Sequence, residues 1–346
     1  MTSINKYRSK TIENHVIAFS LSYQPENLLA RGMGLDHLRE FLIRLTRLLL
    51  RHGASLAYSG NWQDSEDNFT YMLLRLISAE QEDNSRGGPD TSLQIGKLYN
   101  HSSWPYYLEI TPNIEAQWIN YCRIVRITQQ QAGLAEMDVV PDADAHNKQP
   151  KTIFNAAVTM SAMRRLQMQE MAIPIPGIVP PVLERIPPVV ARILLGGKID
   201  RYSGFMPGIF EEALVTMQHP HRRPLYILGG FGGAAEIIAQ AILTPGNKRP
   251  RELTLAWHKK QNPALAHLLA SSKQFSLPPG CSSTKQLFDA LFAFVLQART
   301  NPSNILHTGL SDAETRELLM TRNIAQAVNL VRKGLISQNK LPNLPA

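Results

Sequence analysis

The chain has 346 residues, 44% hydrophobic and 18% charged, and its 36 Lys and Arg against 28 Asp and Glu give a formal net charge of +8. That composition supports a sizeable buried core and excludes a low-complexity or disordered chain. The cations are scattered among acids: the closest groupings are Arg39, Arg44, Arg47 and Arg51 along one stretch, and His219, His221, Arg222 and Arg223 in another. No helix-turn-helix, zinc or RNA-recognition signature accompanies them, so nucleic-acid binding is not expected and a diffuse positive field suits a small anion better. Cys122 and Cys281 stand far apart with no CxxC pattern and no secretory leader, which points to a reducing cytoplasm. No run of about 18 apolar residues is present to span a membrane, and the histidines never take up HExxH spacing, so no metal site is expected.

Taken in chain order, His15 to Leu21 is short and apolar and reads as a buried strand ending in Ser20-Leu21-Ser22. Polar residues at the carboxyl end of such a strand are where open α/β sheets bind ligands, although plain turn chemistry also accounts for Ser20 and Ser22. Leu35 to His52 has helical periodicity, Gly53 closes it, and Ala54 to Tyr58 is a second strand. Tyr58-Ser59-Gly60-Asn61 follows, and Asn68-Phe69-Thr70 opens a helix over Tyr71 to Ala79, with Thr70 as N-cap or as ligand contact. From Gln81 to Thr111 the pattern breaks up and then gathers Trp104, Tyr106 and Tyr107, which suggests a loop insertion over the site. Its aromatics either pack the loop down or stack on a base. Cys122 to Thr128 is a further strand and Asp138 to Pro150 a polar connection.

Lys151 to Met171 is helical and carries Arg164, a side chain that stays charged and can grip a phosphate or carboxylate with two hydrogen bonds, or simply face solvent. Six prolines between Ile173 and Pro188 forbid a helix there. Val189 to Leu195 is a strand leading to Gly196-Gly197-Lys198. Then Gly204-Phe205-Met206-Pro207-Gly208 opens a helix with Glu211 and Glu212 in its first turn, sound amino-terminal chemistry. A second such junction joins the strand Pro224 to Leu228, through Gly229-Gly230-Phe231-Gly232-Gly233, to the helix Ala234 to Leu243. Glycine admits a ligand close to the backbone, and the first helical N–H groups favour negative charge, so a phosphate is expected on Gly230 to Gly233. A tight turn with glycines for packing is the alternative. Glu236, one turn into the helix, fits beside a phosphate only if it reaches something beyond it, such as a ribose hydroxyl. After Pro245, helical spacing covers Asn262 to Ala270, Thr284 to Ala298 and Ser311 to Leu335, the last opened by a capping box. These helices cover a sheet edge or form an oligomer contact.

The glycine spacing is neither the dinucleotide fingerprint nor a P-loop. The Gly229 to Glu236 string instead resembles the phosphate-binding motif of the SLOG superfamily, a Rossmann-like group. That group includes cytokinin-activating phosphoribohydrolases once labelled lysine decarboxylases, and ligand-sensing domains of bacterial conflict systems and melastatin-type channels. In the hydrolase branch the motif begins Pro-Gly-Gly and has Thr after the third Gly. This chain has Leu228 and Gly233 there, a departure that bears on hydrolysis and not on the fold. Tyr58 to Asn61 with Asn68 to Thr70 resembles the family's Y-G-G-D … G-F-T element, and Met160 to Arg165 resembles a helix whose arginine, here Arg164, turns toward the ligand. Gly196 to Lys198 with Gly204 to Leu214 resembles a G-G-K … G-x-x-P-G-I-x-E-E-A element of a bacterial conflict-system subgroup.

The resemblance implies an α/β, Rossmann-like, open and mostly parallel sheet with helices on both faces, plus a helical C-terminal extension. Residues 1–249 would form this domain, with insertions at about 80–112 and 172–188, and 250–346 a mainly helical extension packed on it. The implied ligand contacts are Ser20, Ser22, Tyr58, Gly60, Asn61, Thr70 and Arg164, then Gly196, Gly197, Lys198, Met206, Pro207, Gly208, Glu211 and Glu212, and finally Gly229, Gly230, Phe231, Gly232, Gly233 and Glu236. The favoured reading is a cytoplasmic sensor of a nucleotide or NAD-derived signal, such as ADP-ribose or cyclic ADP-ribose, needing no obligatory cofactor. It would work in bacterial defence or signalling, change state or form a homo-oligomer, with a possible protein partner from a defence or signalling operon. The second is a nucleotide N-glycosidase or phosphoribohydrolase, with Glu236 stabilising the oxocarbenium-like ribose and Arg164 holding base or phosphate. The third is a scaffold with a degenerate pocket.

Overall fold

The computed structural model describes residues 15–63, 65, 68–85 and 97–339. The first part of the chain runs β1 (Val16–Ser22), α1 (Pro25–Leu29), α2 (Leu35–Arg51), β2 (Ser55–Ala57), α3 (Phe69–Ser85), β3 (Leu98–Ser103), α4 (Pro112–Trp118), β4 (Cys122–Ile127) and α5 (Pro150–Leu166). A hairpin of β5 (Met171–Pro174) and β6 (Leu183–Ile186) leads into β7 (Val189–Gly196), α6 (Gly208–Met217), β8 (Leu225–Leu228) and α7 (Gly233–Leu243). Six more helices follow: α8 (Leu255–Gln261), α9 (Pro263–Ser271), α10 (Thr284–Thr300), α11 (Pro302–Ile305), α12 (Asp312–Met320) and α13 (Ile324–Ser337). Six strands form one parallel sheet in the order β4-β3-β2-β1-β7-β8, while β5 and β6 pair antiparallel on their own. This is a Rossmann-like α/β fold with a helical C-terminal region.

Side chains alternate across the sheet, as the strand repeat of two requires. Ile17, Phe19, Leu21, Ile193, Leu195 and Leu228 join a core with α2, α3 and α13. On the other face Val16, Ala18 and Val189 pack with Met163 of α5, while Leu194, Leu225 and Ile227 meet α6, α7 and α10. The helix α2 repeats its apolar residues at helical spacing and buries Leu38, Phe41, Leu42, Leu45 and Leu49. Its partner across the sequence is α13, so the last helix belongs to the same core as the first strand.

The helix expected to run to Met171 ends at Leu166, Met171 opening β5 instead, and two further segments depart from the sequence expectation. Residues 98–103, which read as part of a loop insertion, form the interior strand β3, because Leu-Tyr-Asn-His-Ser-Ser is polar in type yet buried at every position. The helical spacing over Ser311 to Leu335 is interrupted at 321–323, where Thr321 leaves the helical region and the Asn323 side chain accepts the Gln326 N–H to start α13. That break lets the carbonyls of Met320 and Thr321 press on Gly230, where a Cβ would collide with Thr321 C and O.

Gly230→Ala therefore overpacks against backbone that cannot move aside alone, and is expected to cost about 1–3 kcal/mol. The check is a lower urea midpoint with unchanged slope; an unmoved midpoint would show that the 321–323 turn yields freely.

Candidate functional site

In open α/β sheets the crevice for a ligand opens where the strand order changes direction, outside the carboxyl ends of the strands. Here that point lies between β1, whose chain proceeds to β2, and β7, whose chain proceeds to β8 on the opposite side. A cavity of about 210 Å³ opens there, lined among others by Ser20, Ser22, Tyr58, Ser59, Arg164, Lys198, Tyr202, Gly208 and Glu212. Seven of the residues picked from the sequence thus meet at one place: Ser20, Ser22, Tyr58, Arg164, Lys198, Gly208 and Glu212.

The ends of β1 and β7 are fastened together. Gly197 N–H donates to the Ser22 carbonyl at 3.3 Å and Lys198 N–H to Ser22 Oγ at 3.1 Å, and a Cβ on Gly196 would sit 2.6 Å from that same carbonyl. Lys198 itself is exposed and forms no ion pair with a described residue. Pro207 is the N-cap of α6, whose first residue, Gly208, lies beneath the Arg164 guanidinium. Met206 is fully buried in the core behind it. Lys198 and the amino end of α6 therefore bring positive charge to the same wall of the cavity.

Under that wall lies a buried charge cluster. Arg164 Nη1 and Ser161 Oγ both donate to the Glu211 carboxylate. Arg192, 1% exposed in the middle of β7, donates to Ser20 Oγ at 2.8 Å, Thr216 Oγ1 at 2.9 Å and Gln167 Oε1 at 3.0 Å. Gln167 in turn donates to Ser59 Oγ, so a continuous chain of hydrogen bonds ties the ends of β1 and β2 to β7. Glu212 stands 3.8 Å from both Arg164 Nε and Arg192 Nη1, close enough for charge attraction and too far for a hydrogen bond. Arg164 Nε is buried without any hydrogen-bond partner. Burial pulls the Arg192 guanidinium below its ordinary value, Glu212 opposes this, and Arg164 adds to it. With Ser20 Oγ accepting from Arg192, the serine proton is left to donate elsewhere.

The loop after β2 is set by a neighbour on β3: Asn100 donates to the carbonyls of Tyr58 and Gly60 at 3.0 and 3.1 Å and accepts from Trp62 Nε1 at 3.1 Å. Thr70 Oγ1 donates to the Asn61 carbonyl, and Asn68, not Thr70, receives the backbone N–H at the start of α3. Gly60, Asn61 and Thr70 thus fix one another just outside the cavity. Of the three aromatics, Trp104 is fully buried with Nε1 donating to Asp142 at 2.9 Å.

The remaining picked residues form a second cluster. Gly229, Gly230 and Phe231 are buried, Phe231 against Phe41 at 5.2 Å between ring centres, and a Cβ on Gly229 would lie 2.5 Å from the Leu319 carbonyl. Gly233 has φ +65, a conformation open to glycine, and a Cβ there would lie 2.5 Å from the Gly197 carbonyl, which accepts the Ala234 N–H at 2.9 Å. The two glycine loops therefore pack on each other. Arg31 covers Gly232 and pairs with Glu236 through both carboxylate oxygens. Glu236 is not among the residues lining the crevice cavity.

Sequence reasoning passed over Arg192, Gln167 and Asn100. A lone arginine inside Val-Val-Ala-Arg-Ile-Leu-Leu was a usable signal, since a charge in a buried strand needs partners; Gln167 and Asn100 offered none. Among the described residues no group of His, Cys, Asp and Glu is disposed to hold a metal, and no helix is long and apolar enough to cross a membrane.

A parallel sheet with a polar, charge-lined cavity at its switch point is the arrangement in which Rossmann-like folds take ligands. The family model of SLOG cluster2 matches residues 11–175 and 186–318, most of the chain, and the chain belongs to that family. Membership suggests a nucleotide-ligand-binding domain. The interruption in the match falls on the β5–β6 hairpin, and its second segment reaches into α12. No curated protein matches the sequence.

His101, buried on β3, is pushed down to about 3 from an ordinary 6.5, chiefly by burial, with Arg192 adding to the effect. Its folded value lies below the unfolded one, so its contribution to stability is complete above pH 6.5 and is lost as the pH falls toward 3. His101→Gln is expected to remove about one proton from the uptake on unfolding, flattening the acid side of the stability curve by up to about 1.4 kcal/mol per pH unit. Urea unfolding of both proteins between these pH values checks it; parallel curves would mean that His101 titrates normally.

Proposed function

We propose that this protein is a sensor that binds a nucleotide or NAD-derived molecule, of the ADP-ribose or cyclic ADP-ribose kind, in the crevice between β1 and β7. The observation that carries the reading is the meeting, at one cavity, of an uncompensated cation with a carboxylate. Lys198 and the amino end of α6 suit a phosphate. Glu212 and the Ser20 hydroxyl suit a ribose diol, and Tyr58 and Tyr202 offer aromatic surface to a base. At about 210 Å³ the cavity is smaller than the roughly 300–1,000 Å³ of drug-sized sites, so it takes the ribose-phosphate part and leaves the rest of the ligand outside. Binding without turnover is favoured because Glu236, the carboxylate suited to a hydrolytic role, is already held by Arg31. The likeness to conflict-system members extends the reading to bacterial defence or signalling, with assembly of copies or a partner protein as output.

A thermal-shift and calorimetric screen of ADP-ribose, cyclic ADP-ribose, NAD and nucleoside monophosphates tests it, with chromatography of the ligand afterwards. Stabilisation without products is expected, and Lys198→Ala and Glu212→Gln are each expected to weaken binding about tenfold, or 1.4 kcal/mol. Losses confined to Gly232→Val and Glu236→Gln would move the ligand to the second glycine loop. Release of free base by the native protein would replace the sensor with the phosphoribohydrolase.

A further inference from the structure

At the end of the sheet away from the crevice, before β8 begins, three segments converge. The loop from α6 to β8 carries His219, His221, Arg222 and Arg223. Leu225 N–H donates to the Leu306 carbonyl at 2.9 Å, which brings His307 beside Arg222, and His219 lies against the backbone of Met168 just after α5. The rings of His219 and His221 are 5.5 Å apart, and His219 Nδ1 accepts the His221 N–H at 3.2 Å.

Among the described residues no carboxylate pairs with this cluster. Arg126 meets Glu115 and Arg249 meets Asp289, but neither Arg222 nor Arg223 pairs with a described residue. Arg223 Nε is buried with no hydrogen-bond partner. Burial and then Arg223 make His219 harder to protonate, and burial and then Arg222 do the same for His307. Glu170, on the chain just after Met168, is tied to Arg185, and Glu212 of α6 turns inward to Arg164 and Arg192.

We infer that this loop cluster is a second binding site, separate from the crevice, for an anion carrying two or more linked phosphates. Gathered cations without acids repel one another, and an anion among them removes that cost. Guanidinium groups bind phosphate through paired hydrogen bonds. A single exposed ion pair contributes little, so an anion that reaches both arginines is required, which singles out a diphosphate over a monophosphate. Because an anion partners His219 and His307, whose protonation is held down in the free protein, binding takes up protons and tightens as the pH falls toward 6.

Calorimetry of the full chain with inorganic pyrophosphate, inorganic phosphate and ADP at pH 6 and pH 8 tests this. Pyrophosphate is expected to bind more tightly than phosphate, and several-fold more tightly at the lower pH. The double variant Arg222→Gln, Arg223→Gln is expected to lose about tenfold or more, as for lost charged hydrogen bonds. Arg222→Lys, Arg223→Lys should recover part of it, and Lys198→Ala should leave pyrophosphate binding unchanged. ADP binding that shares the arginine and pH dependence would make a nucleotide tail the source of the diphosphate; pyrophosphate alone would make it the free anion. No binding at either pH, binding indifferent to the arginine pair, binding lost in Lys198→Ala, or binding only of a single-stranded oligonucleotide would each overturn the proposal. Failure of the crevice reading alone would leave these results unchanged.

Discussion

The crevice depends on how β1 meets β7. Their parallel pairing carries a bulge at the outset: Val16 lies opposite Val189, but Ile17 lies opposite Ala191, so Val190 is the extra residue. From there Ala18 faces Arg192 and Ser22 faces Gly196. Without the bulge Arg192 would share a face with Phe19 and be driven into the apolar layer beneath α2, since a shift of one residue exchanges the two faces of a strand. The bulge puts it instead among Thr216, Gln167 and Ser20. One irregular residue near the start of a strand thus decides what lies under the floor of the cavity at its end.

The buried charges make that floor costly and specific. Each ion removed from water loses several kcal/mol of hydration, recovered only with good geometry and complete hydrogen bonding. Arg192 meets this standard with three oxygen acceptors, and Glu211 with Arg164 and Ser161. Glu212 does not: it sits between two guanidinium groups without bonding either. A carboxylate drawn to two nearby cations yet short of hydrogen-bond donors is well prepared for a hydroxyl-bearing molecule, and the same balance would resist an extra anion in its place.

Most of the sheet was legible because buried parallel strands are apolar runs bounded by glycine or proline, as with Leu225 to Leu228 and, apart from Arg192, Val189 to Leu195. β3 escaped because its burial rests on polar side chains, Asn100 holding the neighbouring loop and His101 lying within the field of Arg192, and periodicity sees only hydrophobicity. The break between α12 and α13 escaped because buried Leu319 and Leu330, on either side of it, fall on one face of a continuous helical pattern. For the site, residue type at a strand end picked out Ser20 and Ser22 and the family resemblance Lys198, but glycine runs alone could not separate ligand approach from backbone approach. Gly229 and Gly233 face the carbonyls of Leu319 and Gly197, contacts made only in three dimensions.

The turn at 321–323 also bears on how the chain is made. On the ribosome β8 and the loop after it emerge well before the residues that enclose them, since Gly229 and Gly230 are covered by backbone of Leu319, Met320 and Thr321, and the Tyr226 hydroxyl donates to the Thr308 carbonyl at 3.0 Å. Until those segments have been synthesised, Tyr226 and Leu228, both buried to the last atom in the finished protein, have no cover from this side. The nascent chain therefore carries an open apolar seam beside its glycine loop, the kind of surface on which chaperones act and partly made chains aggregate. Closure of that seam belongs to the final stage of synthesis.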